Sequence, residues 1–268
     1  MLRRAHQLTV RLVLLALCSS CVPRPLALPA GPGTPRPDFA SVFDQATAAC
    51  RDTRTLSAEL VLSGRAVRQK LRARVLAGLG PAALRLEGVA PFGPPAFVFV
   101  ANQGVGTLML PRDRRVLKSA PPADILQALA GVALAPDDLR LLLAGCVKAS
   151  AVPTTGRAYG SEWIAIDLAG GGTAYLRRQD NDWRVVAGMH SGLIVEYRGF
   201  LNGRPRAVRV RSARNEGSPQ ADVDLSVTLG QVEINGTIDP RAFRLDVPSD
   251  ALPLTLEELR EAGPLGST

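Results

Sequence analysis

Four cysteines and two histidines hold most of the reactive chemistry this chain of 268 residues offers. A metal centre needs three or more ligands brought together from suitably spaced positions. Cys18, Cys21, Cys50, Cys146, His6 and His190 form no such set. His190 stands beside a strand end, where a local hydrogen bond satisfies it. The chain has no G-x-S-x-G elbow, no phosphate loop and no dinucleotide fingerprint. Gly170-Gly171-Gly172 separates two strands and opens no helix, so it is a poor phosphate cradle. Asp137-Asp138 follows Pro136 and reads as the first turn of a helix, not as a general acid/base pair. We therefore expect no enzyme, and assign no catalytic residue, metal or cofactor.

The thiols have other uses. Residues 1–21 open with Arg3 and Arg4, continue through an apolar run from Leu12 to Leu17, and end in Ser19-Ser20-Cys21. The apolar run is too short to span a bilayer as a helix, so a secretory signal peptide over residues 1–20 is the natural reading. Small residues and then Cys resemble a lipobox, which makes Cys21 the expected site of a covalent lipid. An ordinary signal peptide with a free Cys21 is the alternative. Residues 22–37 contain six prolines and read as a semi-rigid tether. Secretion places Cys50 and Cys146 in an oxidising compartment. Both fall at expected helix ends, and we expect a disulfide between them; two buried free thiols are the alternative.

Two further groups could meet a partner. Phe92 lies in the loop Gly88-Val-Ala-Pro-Phe-Gly-Pro-Pro95, behind Pro91 and ahead of Gly93. A loop Phe either folds back onto the core or projects. Arg204, Arg206, Arg209, Arg211 and Arg214 form a basic run, with Arg209 and Arg211 on one strand face. That face is either simply solvated or a docking surface for lipid headgroups or an acidic protein. The net charge is +8, and three of the positive charges (Arg3, Arg4 and Arg11) lie in the leader. The excess is too diffuse to argue for nucleic acid.

The elements that position these residues are mostly strands. Leu56, Ala58, Leu60 and Leu62 alternate with polar residues, as do Leu71, Ala73 and Val75 with Lys70, Arg72 and Arg74. Ala83 to Leu110 reads as strand, loop, strand, turn, strand. After a helical insert from Pro122 to Gly145 and a polar loop from Lys148 to Ser161, strands resume and continue to Ile234. About eleven strands are expected, thirteen at most, antiparallel by their turn spacing. Phe39, Val42, Phe43, Ala46 and Cys50 fall at helical spacing after Asp38, a candidate N-cap. Leu254 to Leu259 reads as a short closing helix.

The segment from Leu84 to Gly145 resembles the LolA/LolB superfamily, and within it the LolB-type outer-membrane lipoprotein receptors. The matching features are a strand, the hook APFG (Ala90 to Gly93), a strand pair, and PPADILQALAGVALAPDDLRLLLAG. The lipobox and linker agree with the LolB type, whereas LolA is soluble. The resemblance implies an α+β, mainly β fold: an unclosed antiparallel barrel over residues 38–260, followed by a tail at 261–268. Helices would lid an apolar cavity holding the acyl chains of lipoproteins. Phe39, Phe43, Leu84, Leu86, Phe97, Phe99, Ile125, Leu129 and Leu142 are the candidate cavity or lid residues. Phe92, with Pro91, takes the place of the family's hook residue, usually Leu. The implied protein is a lipid-anchored monomer that accepts lipoproteins from a LolA-like periplasmic carrier and inserts them into the outer membrane. A lipid-binding or sensing module of the same fold, or a structural lipoprotein with a filled interior, are the alternatives.

Overall fold

The computed structural model describes residues 26–66, 69–148, 150–190, 192–213 and 223–262. Cys18, Cys21, the leader and Arg214 lie outside them. The chain begins with a two-residue strand β1 (Thr34–Pro35) and a helix α1 (Phe39–Arg51). Six strands follow: β2 (Leu56–Ala66), β3 (Gln69–Gly80), β4 (Ala83–Gly88), β5 (Phe97–Asn102), β6 (Val105–Leu110) and β7 (Arg115–Ala120). Helices α2 (Pro122–Ala130) and α3 (Pro136–Ala144) come next. The second run of strands is β8 (Pro153–Tyr159), β9 (Trp163–Leu168), β10 (Thr173–Gln179), β11 (Asp182–His190), β12 (Leu193–Arg198), β13 (Ala207–Ser212) and β14 (Val223–Ile234). A 3-10 turn (Pro240–Phe243), a two-residue strand β15 (Leu252–Pro253) and helix α4 (Leu256–Ala262) complete it.

All these strands form one sheet in the order β1-β8-β9-β10-β11-β12-β13-β14-β2-β3-β4-β5-β6-β7-β15. Neighbours are antiparallel except β7 and β15. The two edges do not meet, so the barrel is unclosed, as expected. Its centre is the long pairing of β14, β2 and β3, in which Leu60 faces both Leu229 and Val75. Leu56, Ala58, Leu60, Leu71, Val75 and Leu79 point inward, while Glu59, Val61, Arg72, Arg74 and Leu76 point outward.

The helices cover the inner face in two places. Helix α1 packs on β8 and β11, and Gly156 of β8 makes room for it: a Cβ there would stand 2.2 Å from that of Phe39. Helix α2 packs on β6, where Gly106 plays the same part toward Ile125. Helix α3 packs on β3 and β4. Gly145, at φ +107°, closes α3 with paired hydrogen bonds from its own N–H to Leu142 and from Cys146 to Leu141.

Four expectations change. The described residues form fifteen strands where eleven to thirteen are expected, because β8 and the two-residue β1 and β15 join the sheet. Residues 153–159, read as part of a polar loop, are strand β8. Asp38 occupies the N-cap position of α1 but its carboxylate accepts two hydrogen bonds from Arg36, at 2.8 and 2.9 Å, and caps nothing. The proline-rich segment from Leu26 onward is no free tether. It crosses the outer face from β12 to the β8 edge, held by Leu26 N–H to Glu196 (3.3 Å), Tyr159 Oη to the Gly31 carbonyl (3.0 Å) and the β1–β8 pairing. Residues 236–251 form a similar strap on the outer face of β3–β5, where Phe243 lies over Gly80 and Arg85 donates to the Ala242 carbonyl.

Candidate functional site

A cavity of about 110 Å³ lies between the centre of the sheet and helices α2 and α3. Its floor is Leu60, Leu62, Leu71, Ala73 and Val75 of β2 and β3, extended by Val210, Leu225 and Val227. Its roof is Leu126 and Leu129 of α2, Leu139, Leu142 and Leu143 of α3, and Val132 and Leu134 between the helices. Every lining residue is apolar. A buried water needs about 10–15 Å³ and two to four polar partners. The space suffices and the partners are missing, so the cavity favours hydrocarbon. Each methylene transferred from water into such a place is worth about 0.8 kcal/mol.

The expected cavity residues separate into two groups. Leu86, Phe97, Leu129 and Leu142 line the cavity. Leu84, Phe99 and Ile125 do not; each is fully buried in solid core, Phe99 and Ile125 meeting at Gly106. Phe39 and Phe43 are likewise elsewhere, because α1 fills the β8–β11 half of the sheet. Phe39 covers Gly156, and Phe43 lies with Thr47 near Cys146 and Val147. Leu60, Leu126 and Leu139 line the cavity as well, outside the expected set.

Pro91 and Phe92 stand at the tip of the β4–β5 loop, and Phe92 is 88% exposed. The loop is fixed at both sides. Val89 N–H donates to the Arg74 carbonyl at 2.7 Å, and Arg112 donates to the Phe92 carbonyl at 2.7 Å. Gly93 turns the chain at φ +76°, a conformation that suits glycine.

Arg209 and Arg211 are not free to form a basic docking face. Arg209 makes two hydrogen bonds to Asp224, both 2.7 Å, and Arg211 donates to Glu196 at 3.1 Å. The Arg209 hydrogen bonds hold the Asp224 carboxyl below its usual range, and Asp224 in turn raises Arg209. Glu196 is buried, and Arg198 reaches it too, at 2.9 Å. These cations serve to neutralise acids on the outer face.

Cys50 and Cys146 form a disulfide with their Cα atoms 5.6 Å apart. It joins the end of α1 to the second residue after α3. Beside it the buried Tyr197 donates its hydroxyl to the Cys146 carbonyl at 2.8 Å, and burial pushes that phenol well above its usual range. Asp137 accepts from Arg140 (2.7 Å) and from Ala82 N–H (3.2 Å), while Arg140 also donates to the Thr53 carbonyl, so both ends of α3 are pinned. His190 Nδ1 lies 3.3 Å from the Gly171 carbonyl oxygen, at the triple-glycine turn. Among the described residues no group of three or more His, Cys, Asp or Glu is placed to hold a metal, and no helix is long and apolar enough to cross a membrane.

No protein-family model matches this sequence, and no curated protein matches it. Solved structures do. A LolA superfamily protein from Nitrosomonas europaea aligns with a TM-score of 0.52 at 10% identity, covering 76% of this chain and 96% of that one. A DUF1329 family protein from Desulfovibrio piger aligns with a TM-score of 0.50 at 8% identity, with the same coverage. The fold is LolA-like: one large unclosed sheet with helices over its inner face.

Proposed function

We propose that this protein is a lipid-anchored outer-membrane receptor, its domain facing the periplasm, that accepts lipoproteins from a LolA-like carrier. Their acyl chains enter the cavity beneath α2 and α3, and Phe92 meets the membrane when they are released. The observation that carries this reading is the cavity: lined by apolar side chains alone, without a polar partner for water, in a LolA-like sheet. The exposure of Phe92 on a braced loop supports the second half. Ser19-Ser20-Cys21 supports the anchor, with a covalent lipid on Cys21 as the only added group. No catalytic step is proposed.

The test is a transfer assay with Phe92→Glu. The fully exposed ring predicts a variant that melts as the parent does and still takes lipoprotein from its carrier. Release into vesicles should fall. Undiminished release would remove the hook from the account. Failure of the parent chain to take up any lipoprotein would remove the receptor function itself.

A further inference from the structure

We propose that the outer face of the β2–β3 hairpin docks onto an anionic lipid bilayer beside Phe92. This rests on the reading that Phe92 meets a membrane, and adds the class of lipid. Arg65, Lys70, Arg72 and Arg74 are all exposed on that one face, Arg65 directly opposite Lys70. Arg74 pairs with Glu59 at 2.9 Å. Arg65, Lys70 and Arg72 have no ion-pair partner among the described residues. They contrast with Arg209 and Arg211, which the sheet neutralises with Asp224 and Glu196.

Among the described residues, the two straps cover other parts of the outer face. The amino-terminal strap covers the outer side of β8–β12, and residues 236–251 cover that of β4, β5 and the Gly78–Gly80 end of β3. The last pair of β4 with β3 is Gly88 with Val75, so Gln69 to Arg74 run on past the end of β4. Six residues of strand extend about 20 Å. The Phe92 loop begins at the base of that projection, bonded to Arg74, and Arg112 braces its other side. An exposed phenyl ring thus stands beside an open row of cations. Successive outward residues on a strand are about 6.6 Å apart, so the row presents separate charges to a field of headgroups rather than converging on one anion. Val61 and Leu76, exposed on the same face, add apolar contact. Anionic headgroups attract each such cation, and salt weakens the attraction.

The experiment uses the full-length chain with Cys21→Ser, so that no lipid anchor masks partition. Its binding to phosphatidylcholine vesicles is measured with and without phosphatidylglycerol. Binding should be far stronger with phosphatidylglycerol and fall as salt is raised. Arg65→Ser/Lys70→Ser/Arg72→Ser, checked for a parental melting curve, should lose roughly a hundredfold at low salt, about fivefold per charge. Arg51→Ser/Asp44→Ser, which removes an exposed ion pair of α1 (3.0 Å) away from this face, should change the phosphatidylglycerol preference little. Phe92→Ser should weaken binding to both vesicle types, and that arm tests the hook separately. A triple variant that binds phosphatidylglycerol vesicles as the parent does overturns the proposal whatever Phe92→Ser does. So does a triple variant that binds vesicles normally but no longer receives cargo from the carrier, which would make the face a site for an acidic protein.

Discussion

The backbone N–H of Leu26 donates to the buried carboxylate of Glu196 across 170 residues of sequence, at 3.3 Å. That contact fixes Leu26 on the outer face beside β12. Leu26 lies five positions beyond Cys21, a stretch that even fully extended reaches at most about 18 Å. A lipid on Cys21 would therefore hold the outer face near β12 close to the bilayer. The proline content of residues 22–37 suggested a longer spacer.

Glu196→Ala should release the strap. It removes the acceptor of Leu26 and the buried carboxylate that Arg198 and Arg211 both reach. Stripping one partner from a buried pair costs about 3–5 kcal/mol, and the partial exposure of both arginines brings the expected loss to about 2–3 kcal/mol. Hydrogen exchange at residues 26–36 should rise more than in the sheet core. Unchanged exchange there would show that the prolines and the β1–β8 pairing hold the strap alone.

The disulfide joins α1 to the end of the α2–α3 roof across a separation of 96 residues. On the chain-entropy model, closing a loop of that length stabilises the fold by roughly 4–5 kcal/mol. Cys50→Ser/Cys146→Ser should lower the urea midpoint accordingly. An unchanged midpoint, with two thiols alkylated in the unreduced parent, would contradict the bond.

Helix α4 should loosen in acid. Thr255 and Glu258 form a capping box, with Thr255 N–H donating to Glu258 at 2.8 Å and Glu258 N–H to Thr255 Oγ1 at 3.2 Å. Arg115 donates to both Glu258 carboxylate oxygens at 2.8 Å. With the hydrogen bonds from Arg115 foremost, its pKa falls to about 2. A depressed carboxyl contributes fully above its unfolded value, about 4.3, and loses the contribution as pH falls through the folded value. Amide exchange in α4, corrected for its intrinsic pH dependence, should therefore quicken between about pH 4 and 2. Glu258→Gln should already exchange fast at neutral pH and lose this acid step. A parental acid step in the variant would assign it to another group.

The sequence made the strand alternation legible because the physics is local. Leu71, Ala73 and Val75 must face one way if Lys70, Arg72 and Arg74 face the other. Strand β8 was not legible: Pro153-Thr-Thr-Gly-Arg-Ala-Tyr159 carries little inward apolar surface, because Gly156 yields that place to Phe39 of α1. Arg209 and Arg211 looked free because their acids come from β14 and β12, set by a register no spacing displays. The cavity was legible only as a class of residue. Leu84 and Leu86 share one strand face, yet one is sealed in core and the other opens on the cavity, and that division depends on where α2 and α3 rest.

The most direct test of the account places a photoreactive leucine analogue at Leu142, in the cavity roof, and separately at Ile125, in solid core. Each protein is loaded with lipoprotein from its carrier and illuminated, and its adducts are read by mass spectrometry. The account predicts an acyl-chain adduct at Leu142 and none at Ile125. No adduct at Leu142 from a loaded protein, or equal adducts at both positions, would contradict it.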